Sequence, residues 1–396
     1  MTEFFAESWL LWLLLGAGIG LWLSGRKKAW FRYVYHRYVM ALVTLLTVSA
    51  IVFSLMEVLP GDCAEKYIAY KNTQGVVITQ ADIDAERARM GLDQPLPVRW
   101  ADWVSDLALK GDLGFSCAKR QSVNVALGDR FWMSFGFCIA GLLFAYLIAV
   151  PFGILSAWSI NKPWRDSNPQ HSPVRRQINT LGLSLAKVSD LTLRVISYLG
   201  LALPNFLLAL SIILLYVFAG EATPTGLFSE AWKNEPWFAE AGFQWGKLND
   251  FIGHIWLPIF VIGWAATALQ LQTVRALVVD ESNKLYVDAA RARGVDGFRL
   301  WARYPVRHAI SPLVNSVGFD FQRVFNALPI VAVVIGLTDA AALLIEALAM
   351  TNDQELAAGI LFLVALVVIV MNFITDIVLA AVDPRVRSSV MGAGGH

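Results

Sequence analysis

The residues best suited to chemistry fall in a few short stretches. YVDAARARGVDG, Tyr286 to Gly297, sets Asp288, Arg291, Arg293 and Asp296 among the small side chains of Ala289, Ala290 and Ala292. Further along, Asp320 and Arg323 stand three apart, a spacing that brings two side chains together on one helix face. The amides Asn315, Gln322 and Asn326 lie on the adjoining face, and Asn372 and Asp376 are four apart near the end of the chain. No stretch pairs a nucleophile with a base. CxxC, HExxH and GxSxG are absent, and His36, His171, His254, His308 and His396 lack metal-ligand spacing. There is no G-x-x-x-x-G-K-[ST] to cradle a nucleotide, and GAGIG at Gly16–Gly20, inside an apolar run, suits close helix packing better than a dinucleotide. The chemistry on offer is ion pairing and recognition, with no catalytic residue, metal or cofactor expected on this chain.

The elements that position these residues are membrane helices. Of 396 residues 57% are hydrophobic and only 16% charged, and the mean hydropathy is +0.54. A soluble domain carries about a quarter charged residues. The net charge of +1 gives no reason to expect nucleic acid. Seven apolar runs are long enough to cross about 30 Å of hydrocarbon: Ser8–Ser24, Tyr38–Val58, Phe131–Ser156, Val195–Phe218, His254–Leu277, Leu313–Leu337 and Leu356–Val382. The first has no basic residue before it and a basic cluster after it, Arg26, Lys27, Lys28, Arg32 and Arg37, so it reads as a retained helix.

Cytoplasmic loops carry the excess of Lys and Arg. By that rule Asn161–Arg194 and Arg275–Pro312 lie inside, whereas Gly220–Gly253 and Thr338–Glu355, poor in Lys and Arg, lie outside. The expected topology has the N-terminus outside and the C-terminus inside. Pro60–Arg130 is then an outer cap, with a helix-like stretch ended by Gly91 and an amphipathic segment bearing Trp100 and Trp103 ended by Gly111. Two readings fit it, a solvated rim and a docking surface for an outside partner. The aromatics of Ala222–Lys247 suit the membrane interface. Cys63 and Cys117 both fall in the cap and could pair if the outside is an oxidising periplasm, while Cys138 sits in an apolar run as a small core residue.

At Tyr286–Gly297 the alanines give a smooth helix, Gly294 a left-handed stop and Asp296 an N-cap for a second helical start, which Pro305 interrupts. Pro312 then marks the start of the next membrane helix. An interfacial loop whose arginines face lipid headgroups competes with a rigid docking segment.

With these residues in view, YVDAARARGVDGFRLWARYPVRHAISPLV resembles the cytoplasmic loop of inner-membrane permease subunits of ABC importers, in particular the dipeptide and oligopeptide (peptide/opine/nickel) family, first-permease type. Tyr286, Val287, Ala290, Arg291, Ala292, Arg293, Gly294 and, 18 residues on, Pro312 carry the likeness. LPGD (Leu59–Asp62), GLDQPLPVRW (Gly91–Trp100), GDLGFS (Gly111–Ser116), PFGILSA (Pro151–Ala157), ALPNF (Ala202–Phe206), HIWLP (His254–Pro258) and DPRVR (Asp383–Arg387) follow in family order. The resemblance implies an all-α polytopic membrane protein with a type I (MetI-like) core of six helices, to which the helix at 8–24 is extra. The ranges would be 38–58 for the first core helix, 60–130 for a periplasmic cap, 131–382 for the core, 280–312 for its coupling loop and 383–396 for a cytoplasmic tail.

It also implies a heterodimer with a second permease, two ATPase subunits that alone bind ATP and Mg, a periplasmic substrate-binding protein and surrounding lipid. Tyr286, Asp288, Ala289, Ala290, Ala292, Gly294 and Pro312 would then couple to the ATPase. The sequence departs from the family at Cys63, where proline is usual, and after the fifth core helix, which lacks the Gly-Gly, E-x-x-F and P-G-L-G features. Asn315, Asp320, Gln322, Arg323 and Asn326 suit either a wall of the translocation pathway or an interhelical network, and Asn372 with Asp376 either the partner permease or the solute. A proton-coupled secondary transporter using Asp320, Arg323 and Asp376 is the second class, although no inverted repeats are visible.

Overall fold

The computed structural model describes Gly18 and residues 29–58, 79–89, 91–160, 173–239, 242–295 and 297–382. Expectations for the helix at 8–24 (Gly18 aside), LPGD, Cys63, Asp296 and the tail with DPRVR lie outside the described residues. The chain forms two compact units, 1–133 with 338–396, and 134–337.

In the first unit α1 (Ala29–Val58) runs against α13 (Gln354–Val382). Arg37 reaches Asp376 at 3.0 Å, and the rings of Tyr38 and Phe373 meet edge to face. A Cβ on Gly18 would stand 3.1 Å from the Tyr38 ring of α1. After α2 (Gln80–Arg89), the amphipathic α3 (Leu96–Lys110) starts behind Pro95 and stops at Gly111, whose φ of 67° suits a residue without Cβ. Trp100 donates its indole N–H to the Ser49 hydroxyl at 3.2 Å, and Arg99 meets Glu57 at 2.5 Å, which fastens α3 to α1. The short β1 (Phe115–Ser116) and β2 (Gln121–Ser122) form an antiparallel hairpin, and the Ser122 hydroxyl caps α4 (Val123–Leu127). Leu113, Val123 and Leu127 bury themselves against Leu343 of α12 (Ala340–Ile345) and Leu356 and Ile360 of α13.

In the second unit α5 (Arg130–Ile160) lies close against α8 (Trp245–Ser282). A Cβ on Gly153 would stand 2.8 Å from Val274, and one on Gly263 would stand 2.8 Å from the Gly141 carbonyl, so small residues set this approach. The expected single span Val195–Phe218 is instead two helices, α6 (Pro173–Ala202) and α7 (Asn205–Ala219), bent by 101°. Pro204 is the cause, since it cannot donate to the α6 ladder and disfavours helix in the residue before it. Strands β3 (Phe238–Ala239) and β4 (Gly242–Phe243) pair just before α8.

Beyond α8 come α9 (Leu285–Ala292) and α10 (Gly297–Trp301), then a π-helical turn over Ala302–Val306 that runs straight into α11 (Arg307–Ile335). Two expectations change here. Pro305 does not interrupt the helix, because the wider π turn absorbs its missing N–H and ring. Pro312 lies inside α11 and not at its start. Among the described residues, α1, α5, α8, α10 through α11 and α13 contain helices long and apolar enough to cross a membrane, and the bent α6–α7 pair passes the same test.

Candidate functional site: a two-faced helical segment and a buried polar cluster

The α9 segment has two faces. Val287 and Ala290 are buried together with Leu300 of α10, and Tyr286, Val295 and Tyr304 pack around them. The Tyr286 ring meets His308 at 5.0 Å, and its hydroxyl donates to the Glu281 carboxylate, which also holds Lys284 at 2.5 Å. That hydrogen bond raises the Lys284 pKa above its ordinary value. On the other face Leu285 is 85% exposed, and Asp288, Ala289 and Ala292 are exposed beside it, with Asp288 paired to Arg291 at 2.8 Å.

Gly294, at φ 83°, ends the helix: its N–H returns to the Arg291 carbonyl, and the Val295 N–H to that of Ala290. Trp301 is buried with Ala157, Val274, Val278, Ala309 and Leu313, so the segment rests on α5, α8 and α11. Of the sequence-derived set, Asp288, Ala289 and Ala292 share the outer face, while Ala290 is fully buried and anchors the helix instead of presenting it. Pro312 is exposed on α11, remote in sequence from that face.

Inside the span, Asp320 is almost completely buried and accepts from three helices. Tyr146 of α5 donates its hydroxyl at 2.7 Å, Gln270 of α8 its amide N–H, and Arg323 one guanidinium N–H at 3.2 Å. Ser316 joins the cluster, 3.0 Å from the Tyr146 hydroxyl. Asn315, Gln322 and Asn326 do not enter it. They lie exposed along α11 with Phe319, and the Arg323 side chain is itself 48% exposed.

A second cluster escaped sequence reasoning. Asp190 of α6, buried, accepts from Arg275 of α8 at 2.8 and 3.3 Å and from the Ser156 hydroxyl of α5, with Arg194 at 3.0 Å. Arg275, counted above as an inner-loop residue, lies inside α8.

The described residues thus give helices of membrane-crossing length with the short α9 and α10 between α8 and α11. A family profile described as "Binding-protein-dependent transport system inner membrane component" matches residues 178–388, more than half the chain, and the profile of its N-terminal region matches residues 30–136. The chain belongs to this family. It is 29% identical over 366 residues, 90% of this chain and 99% of the relative, to a protein described as a peptide permease of Brucella ovis. It is 27% identical over 355 residues, 90% of this chain and 98% of the relative, to the glutathione transport system permease protein GsiC of Escherichia coli K12. This permease is a multi-pass inner-membrane subunit of an ABC importer, all-α and built for transport.

The remaining sequence-derived residues of the permease fall as follows. Asp376 pairs with Arg37 within the chain, so its carboxylate is already matched; Asn372 is half-buried. Cys117 is disulfide-bonded and Cys138 is a buried thiol. The hairpin bearing Cys117 grips the segment after α12: the Ser116 hydroxyl donates to Asp353 at 2.6 Å, the Ala118 N–H to the same carboxylate at 3.0 Å, and Lys119 meets Glu346 at 2.8 Å. In place of a plain interfacial belt, Phe228 and Trp237 enclose Lys247, whose ammonium lies 4.6 and 5.2 Å from their ring centres.

Proposed function

We propose that the permease passes a peptide-like solute, delivered by a periplasmic binding protein, across the inner membrane under the drive of separate ATPase subunits. The observation that carries this reading is the division of α9. A face of Leu285, Asp288, Ala289 and Ala292 stands clear, while Val287 and Ala290 pack on Leu300 of α10 and Tyr286 ties the helix to Glu281 of α8 and His308 of α11. A helix so held acts as a lever, because docking energy shifts an access equilibrium only through a stiff, differential contact. Tyr286 and Gly294 fix the lever's two ends, and Pro312 belongs to the helix it moves.

The ATPases would bind ATP and Mg, and this chain would pair with a second, related permease. Its N-terminus would face the periplasm and its C-terminus the cytoplasm, with the extra helix at 8–24, the cap at 60–130, the core at 131–382, the coupling loop at 280–312 and the tail at 383–396. The peptide-like solute is supported by the names of the relatives, and opines, metal chelates and oligosaccharides are the competing cargoes. Cys117 would pair with Cys63, the chain having only Cys138 besides.

In proteoliposomes holding the whole importer, uptake should require the binding protein and ATP and survive an uncoupler. Uptake abolished by the uncoupler alone would overturn the reading in favour of proton coupling.

A further inference from the structure

Arg323 stands in an unusual position. Its helix passes as a membrane span, yet its side chain is 48% exposed, and among the described residues it spends one N–H, on Asp320. A guanidinium has five N–H donors, and a pair built for mutual neutralisation sets two of them on the two carboxylate oxygens. Here the carboxylate is satisfied from elsewhere. Tyr146 and Gln270 both serve the second Asp320 oxygen, so the buried acid orients the base while most of the base's donors point away from it.

Beside Arg323, Gln322 and Asn326 are exposed, four apart and so on one face, with Asn315 and Phe319 further along the same stripe. A half-exposed guanidinium that spends one N–H on its carboxylate cannot rest in lipid hydrocarbon without large cost, so this stripe must meet water, solute or a polar partner.

We propose that Arg323, with the amides of Gln322 and Asn326, is an anion-recognising station on the translocation pathway that takes the carboxylate of a passing solute. This rests on the reading of the α11 stripe as a pathway wall, and it narrows the cargo to molecules bearing a carboxylate. Asp320 is the positioning residue, and Tyr146 and Gln270 hold it. One N–H pair from Arg323 and an amide on either side would match a carboxylate without fixing the rest of the solute, which suits a site of transit.

The test uses the assembled importer carrying Asn326→Cys, labelled with sulfonatoethyl or trimethylammonioethyl methanethiosulfonate. Each labelling rate is read by mass spectrometry at this position and divided by that reagent's rate with a small thiol in solution. With Arg323 present the anionic reagent should be favoured by about 3- to 10-fold, as expected for a unit charge a few ångströms away in a hydrated site. Arg323→Gln should bring the ratio near one, and Arg323→Lys should keep most of the preference. Labelling by neither reagent would mean that the stripe is covered by protein or lipid, and would overturn both the pathway reading and the station. Labelling at a ratio indifferent to Arg323→Gln would leave the pathway standing and remove the anion site.

Discussion

Arg275 of α8 grips Asp190 of α6 through two N–H groups, at 2.8 and 3.3 Å. Ser156 of α5 donates to the same carboxylate, so one buried acid ties three helices of the second unit. Removing Arg275 leaves the buried Asp190 only the more exposed Arg194 and the Ser156 hydroxyl, and removing Asp190 leaves Arg275 without its carboxylate. Arg275→Ala should therefore destabilise the solubilised permease by about 3 kcal/mol, the low end for a buried pair because Arg275 is partly exposed. Asp190→Ala with Arg275→Ala together should cost less than the sum of the two single changes. Thermal unfolding of the four proteins in one detergent decides this, and strict additivity would show that the pair contributes nothing mutual.

At Gly294 the constraint is backbone and not space. Its φ is 83°, and a Cβ there would meet nothing within 4 Å. Gly294→Val should cost about 1–2 kcal/mol in local strain and leave insertion and the membrane helices intact. ATP-driven uptake should fall while the protein level in the membrane stays unchanged. Normal uptake in this variant would defeat the assignment of α9 as the lever.

The two faces of α9 separate structure from docking. Ala290→Leu adds volume where Val287 and Leu300 already close the site, and should destabilise by about 1–3 kcal/mol. Ala289→Trp adds more volume on the exposed face and should leave stability within about 0.5 kcal/mol of the parent, yet prevent the ATPase subunits from co-purifying. Equal co-purification with both variants would place the docking surface elsewhere.

Much of this arrangement is legible in the sequence, and the failures have causes. Apolar runs locate the spans because burial in lipid demands length and composition together, but the chain around ALPNF stays apolar over a long window despite Asn205, so the 101° bend between α6 and α7 is silent in hydropathy. Ala289, Ala290 and Ala292 are chemically alike, and only the packing of Val287 and Leu300 shows which of them faces inward. The Asp320–Arg323 spacing is local and readable. Tyr146 and Gln270, 174 and 50 residues away from Asp320, are not, since a hydrogen bond between helices leaves no periodic trace. Arg275 falls both in the expected span His254–Leu277 and in the expected inner segment Arg275–Pro312, because charge counting does not separate a helix end from a loop; paired with Asp190 of α6, it lies within α8.

Asp353 offers a test of the first unit. It is fully buried, accepts from the Ser116 hydroxyl and the Ala118 N–H, and caps α13 through the Leu356 N–H at 3.3 Å. These bonds join the β1–β2 hairpin to the start of α13. Asp353→Ala removes the acceptor of the buried Ser116 hydroxyl and of the Ala118 and Leu356 N–H groups. Each charged hydrogen bond contributes about 1.5–3 kcal/mol. The variant should unfold at lower temperature and expose the hairpin around Cys117 to limited proteolysis, whereas Asp353→Asn, which keeps one acceptor oxygen, should lose roughly half as much. If Asp353→Ala left both stability and protease resistance at the parent level, the hairpin would be held by the Lys119–Glu346 pair and by the packing of the flanking Leu113 and Val123 against Leu343 and Leu356.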